Sequence, residues 1–180
     1  QLEPSCWGNI YRMAIIQENG LRFISERYAV SEDIYFSAGV YHRAERVVLL
    51  DEVGYYYFEN QSSLSKKYDP KMFERILRYY EVLKAQTATY ELGDAVAFRI
   101  ERTFLMKLRV AISLVVNSDL PRGEKLCLVR EMLCYPLVRR VLEEYPSHTQ
   151  EAAMRVLTGL MKKRNVLGVC WLLQLREFAH

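Results

Sequence analysis

From Tyr68 onward, apolar residues recur at intervals of three and four, and this pattern restricts the fold more than anything else in the chain. Asp69 and Pro70 supply an N-cap and a first-turn proline, and Phe73, Ile76, Leu77, Tyr80 and Leu83 then share one helical face. Past Gly93 a long helix carries Phe98, Leu105, Leu108, Ile112 and Val115 along one stripe and ends near Asn117. Pro121 opens the next helix. Pro136, with no N–H to donate and a ring that crowds the preceding turn, separates "GEKLCLVREML" from "PLVRRVLEEY". "SHTQ" at 147–150 has the capping-box pattern ahead of "EAAMRVLTGLMKK", and the last segment, "NVLGVCWLLQLREF", is apolar nearly all round. Helices of this kind bury their faces against one another, so residues 68–180 are expected to form a helical bundle.

Residues 1–67 read differently. "YRMAIIQENG" is a short helix with Gly20 as its left-handed terminal residue, and "SEDIYFSAGVYHRAE" at 31–45 is another, with Ile34, Ala38 and Tyr41 on one face. Ser31 is a good N-cap, which puts Glu32 and Asp33 in the first turn, where the helix dipole favours carboxylates. "RVVLLD" (46–51) and "GYYYFEN" (54–60), separated by "EV", read as a β-hairpin. The first strand is continuously apolar, as a strand covered on both faces would be, so a sheet with further members is expected. Two short strands alone are marginal, and their partners are expected upstream of Gln1. "QSSLSKK" reads as loop. The fold class expected is mainly α: a truncated α/β remnant of short helices plus a β-hairpin, followed by a C-terminal helical bundle.

Composition removes several functions. With 51% hydrophobic and 26% charged residues the chain is built to fold. A net charge of +3, with basic and acidic residues interspersed, leaves no electrostatic footprint for nucleic acid. Cys6, Cys127, Cys134 and Cys170 form no CxxC pair, and His42, His148 and His180 are far apart, so no metal site is expected. Reduced thiols suit a cytoplasmic compartment. No apolar run reaches transmembrane length, and no signal peptide is seen. The chain opens on Gln1 rather than methionine, and the expectation is a piece of a longer polypeptide.

In order along the chain, "SCWGNIYRMAIIQENGLRF", "SEDIYF" and "RVVLLDEVGYYYFENQSSLS" resemble the C-terminal half of the catalytic domain of family 2, GT-A-type bacterial glycosyltransferases. The likeness covers about a third of the chain, residues 1–66. It implies transfer of a sugar from a nucleotide-sugar donor, with inversion, to a cell-surface polysaccharide or lipid-linked glycan. It makes Asp33 the general base that takes the proton of the acceptor hydroxyl, and it gives Glu32, Trp7, Tyr57 and Ser63 contacts to the acceptor. Asn9 and Phe58 stand where basic residues often occur in that family, a departure that weakens the case for standard activity.

The aspartate-any-aspartate motif that holds a divalent metal is absent, since Asp33, Asp51, Asp69, Asp94 and Asp119 are all isolated. Mg²⁺ or Mn²⁺ is therefore expected through a motif upstream of Gln1, with no cofactor in this chain. The missing nucleotide-binding half is an expected partner, and the chain alone is expected to be inactive. A homodimer through an exposed sheet edge is a further expectation. Lys162, Lys163 and Arg164, before an apolar helix containing Trp171, suggest peripheral contact with the inner face of a bacterial cytoplasmic membrane; a buried helix after a solvated turn is the plainer reading. The competing function is a non-enzymatic helical protein-interaction module in which "SED" is only a cap.

Overall fold

A computed structural model describes residues 5–56, 58, 67–90, 94–146 and 152–177. Its elements are α1 (Met13–Glu18), α2 (Glu32–Arg43), α3 (Met72–Ala88), α4 (Asp94–Val116), α5 (Arg122–Cys134), α6 (Pro136–Glu144), α7 (Ala152–Lys162) and α8 (Val166–Glu177). Gly20 adopts φ +59 two residues past α1, as expected of a left-handed terminal residue. Pro136 starts α6 directly after α5 stops, and Pro121 immediately precedes α5. Asp69 starts a turn rather than the helix itself: its Oδ1 accepts the Lys71 N–H at 2.8 Å, and α3 begins at Met72. Gly93 and the "SHTQ" segment lie outside the described residues.

The β-hairpin is not formed. Among the described residues there is no strand, and 46–56 has no regular secondary structure. The reason is physical: a continuously apolar strand needs cover on both faces and a ladder partner along its edge, and here it has neither. Val48, Leu49 and Leu50 are 72–76% exposed.

The core is built around α4, which packs against α3, α5, α6 and α8. Phe104, Leu105, Leu108, Ile112 and Val115 on α4 have no exposed surface, in keeping with the expected stripe. Opposite them lie Ile76 and Tyr79 from α3, Leu133 from α5, Val138 and Leu142 from α6, Leu157 and Met161 from α7 and Val169 from α8. Burying such side chains at about 25 cal/mol per Å² is the main favourable term for the bundle. Ala29 and Tyr35 belong to the same core, so the start of α2 is set against α3 and α4. Gln86 on α3 donates to the Tyr35 carbonyl at 3.0 Å, the Tyr35 and Tyr79 rings lie 5.6 Å apart, and the Arg78 guanidinium sits 4.6 Å over the Tyr28 ring.

Candidate functional site

Three stretches meet at the first turn of α2. Residues 5–11 run along its Asp33, Ser37 and Tyr41 face, three positions spaced by four and so on one side of a helix. The Cys6 thiol donates to the Asp33 carbonyl at 3.6 Å and lies 3.5 Å from the Ser37 hydroxyl. Tyr11 reaches the same hydroxyl at 3.3 Å, and Tyr41 donates to Asn9 Oδ1 at 3.2 Å. Asn9, which departs from the family pattern, thus has a structural use: it ties this segment to α2. Gly8, at φ +73, turns the chain where a non-glycine residue would be strained.

That turn leaves Trp7 51% exposed and stacked on Tyr55, with ring centroids 6.1 Å apart and planes inclined by 9°. An exposed aromatic ring can receive the apolar face of a sugar.

Ser31 occupies the N-cap position that the sequence suggests, but not in the usual geometry. Its backbone is left-handed, φ 60 and ψ 53, and its side chain makes no capping bond. Instead its hydroxyl accepts from the Lys107 ammonium of α4. Asp33 Oδ1 accepts the Ile34 N–H at 2.9 Å, which engages one of the two carboxylate oxygens. Glu32 and Asp33 are both half-buried.

Lys107 completes the site from the helical part of the chain. Its ammonium also lies 5.0 Å from the Tyr79 ring centroid. Burial pulls the lysine below its ordinary range, while the negative charges of Asp33 and Glu32 push the other way. The Tyr79 phenol is raised well above the usual tyrosine range, first by burial; a hydrogen bond with Thr103 opposes this and the charge of Asp33 adds to it. The charge of Asp33 thus acts on both Tyr79 and Lys107. The arrangement is a pair of half-buried carboxylates at a helix start, within electrostatic reach of the lysine that the Ser31 hydroxyl holds.

Of the residues expected at a site, Glu32 and Asp33 share the first turn of α2, Trp7 belongs to the segment that runs along α2, and Tyr57 and Ser63 lie outside the described residues. Lys107 was not anticipated. Its signal was its register: three residues after Phe104 and four before Ala111, on the apolar face of α4, where an unpartnered lysine would be costly. No group of three or more His, Cys, Asp or Glu side chains suited to a metal is gathered among the described residues. An open groove of about 820 Å³ lies elsewhere, between α4, α5 and α8, and contains none of the expected residues. No described helix is long and apolar enough to cross a membrane.

The chain is similar to a Bacillus subtilis (strain 168) protein called "uncharacterized glycosyltransferase EpsJ", with 29% identity over 167 residues. That alignment covers 91% of this chain and 46% of the relative, so the chain spans under half the relative's length. No family model and no solved structure matches.

Proposed function

We propose that this chain is the acceptor-side part of an inverting glycosyltransferase of the GT-A, family 2 type, which extends a cell-surface polysaccharide or lipid-linked glycan from the cytoplasmic side of a bacterial membrane. The observation that supports the reading is that Glu32 and Asp33, in the first turn of α2, act electrostatically on the buried Lys107, with the segment that carries Trp7 packed along the same helix. The likeness to a protein named as a glycosyltransferase supports it over most of the chain.

In this reading Asp33 takes the proton of the acceptor hydroxyl as that oxygen bonds to the anomeric carbon. The bond from that carbon to the nucleoside diphosphate breaks on the opposite face, the diphosphate leaves with the electron pair, and the configuration inverts. Glu32 accepts from a neighbouring acceptor hydroxyl, Trp7 carries the sugar ring, and Tyr57 and Ser63 are further acceptor-binding residues. Residues 1–67 hold the acceptor, and 68–180 brace them through Lys107. The exposed residues 47–56 fit a sheet edge supplied by a nucleotide-binding half, which would also bring the Mg²⁺ or Mn²⁺ that neutralises the diphosphate. Without that half the chain transfers no sugar.

The test is nucleotide-sugar turnover, with Mn²⁺, by the longer polypeptide that carries this chain, compared with its Asp33→Asn variant. General-base loss is expected to lower transfer by about 10² to 10⁴. Unchanged turnover would return "SEDIYF" to a helix start and favour the interaction-module reading. Transfer by the pure 180-residue chain would overturn the division of labour.

A further inference from the structure

One surface lies apart from the candidate site, on α8, and its reading deepens the membrane-side placement in the proposed function. Helix α8 is apolar on two opposite faces. Val166, Val169 and Leu173 are at most 8% exposed and enter the core, whereas Leu167, Trp171 and Leu175 are 60%, 64% and 44% exposed. The second set is spaced by four, so it forms one ridge, about 12 Å long at 1.5 Å per residue. A large aromatic flanked by two leucines is an unusual face to leave in water.

The rim of this ridge is basic. The groove beside it is walled by Val116, Leu126 and Trp171 and carries Arg122 and Lys125. Lys125 donates to the Val116 carbonyl at 3.0 Å, which fixes its ammonium at the C-terminal end of α4. Asn165, from the turn between α7 and α8, lines the same groove, and that turn contributes exposed Lys163 and Arg164. No acid lines the groove among the described residues, and the charge of Glu124, on the first turn of α5, acts on Tyr68.

We propose that α8 docks on an anionic lipid surface. Leu167, Trp171 and Leu175 enter the interface, and Arg122, Lys163 and Arg164 meet the headgroup phosphates. An aromatic with a polar ring edge is at home at the level of the headgroups, and interfacial helices pair such an apolar ridge with flanking cations. A second copy of the chain fits less well, because a two-fold contact through this face would bring two like-charged rims together.

The experiment is vesicle co-sedimentation of the folded chain, with phosphatidylglycerol–phosphatidylcholine vesicles against pure phosphatidylcholine. Trp171 emission is read in a Trp7→Phe background. The expected result is binding to the anionic vesicles with a blue shift of Trp171, and loss of binding in Leu167→Ser/Trp171→Ser, read by sedimentation. Arg122→Gln with Lys163→Gln should weaken binding by about fivefold per charge removed. Folded protein that ignores anionic vesicles would overturn the proposal. So would a concentration-dependent dimer that Trp171→Ser abolishes, with no vesicle binding.

Discussion

Replacing Ser31 tests the link between α2 and α4, because its two structural roles have opposite energetic signs. Its hydroxyl accepts from Lys107, a hydrogen bond to a charged donor, and such bonds are worth about 1.5–3 kcal/mol when well buried. Both partners are only partly buried, which brings the value toward about 1–1.5 kcal/mol. Its backbone, at φ 60, costs a residue with a Cβ about 1–2 kcal/mol that glycine does not incur. Ser31→Ala keeps the strain and loses the bond, so it is expected to destabilise by about 1–1.5 kcal/mol. Ser31→Gly loses the bond and relieves the strain, so its net effect is expected between about 0.5 kcal/mol destabilising and about 1 kcal/mol stabilising. With Lys107→Met in place there is no bond left to lose. Ser31→Ala should then be neutral, and Ser31→Gly should stabilise by about 1 kcal/mol. Urea denaturation of the six chains gives these differences, and the double-mutant cycle isolates the pair. If Ser31→Ala cost the same with and without Lys107, Ser31 would not be acting through that lysine, and the bridge from the helical bundle to the candidate site would be refuted.

Three other outcomes follow from the packing. Tyr35 is 4% exposed and its hydroxyl finds no hydrogen-bond partner among the described residues, so Tyr35→Phe is expected to raise the thermal midpoint, by about 0.5–1 kcal/mol of stability, whereas a fall would reveal a partner. Phe104→Ala removes a fully buried ring 5.0 Å from that of Tyr80 and should cost about 3–5 kcal/mol in urea titrations. At alkaline pH, burial raises Tyr35 and Tyr79, so above about pH 10 the unfolded chain binds fewer protons than the folded one and stability falls. These two groups contribute about 1.4 kcal/mol per pH unit each, while lowered Lys107 acts in the opposite sense only up to about pH 10.4; a flat urea midpoint from pH 10 to 11.5 would contradict their burial.

The helices were legible because their signals are local. Proline at 121 and 136, glycine at 20 and the three-and-four spacing of α4 act within a turn or two, and the elements stand where those residues put them. What was not legible depends on distant chain. The runs at 46–51 and 54–60 have strand composition, yet a strand is completed by a neighbour that its own residues do not specify. Ser31 looks like a cap in its local sequence, and its hydroxyl is instead taken by a lysine 76 positions away. For the candidate site, the resemblance singles out Asp33, Glu32 and Trp7 from residue order, whereas Lys107 was not legible, because only the fold brings α4 beneath the first turn of α2. A charged residue in an otherwise buried register was the one local sign of it.

The most direct measurement is sugar transfer set against nucleotide binding in the Asp33→Asn variant of the longer polypeptide. If Asp33 is the base at an acceptor site, transfer should fall by at least about a hundredfold while the affinity for the nucleoside diphosphate stays within about twofold. Transfer that survives the substitution, or that disappears together with nucleotide binding, would contradict that role.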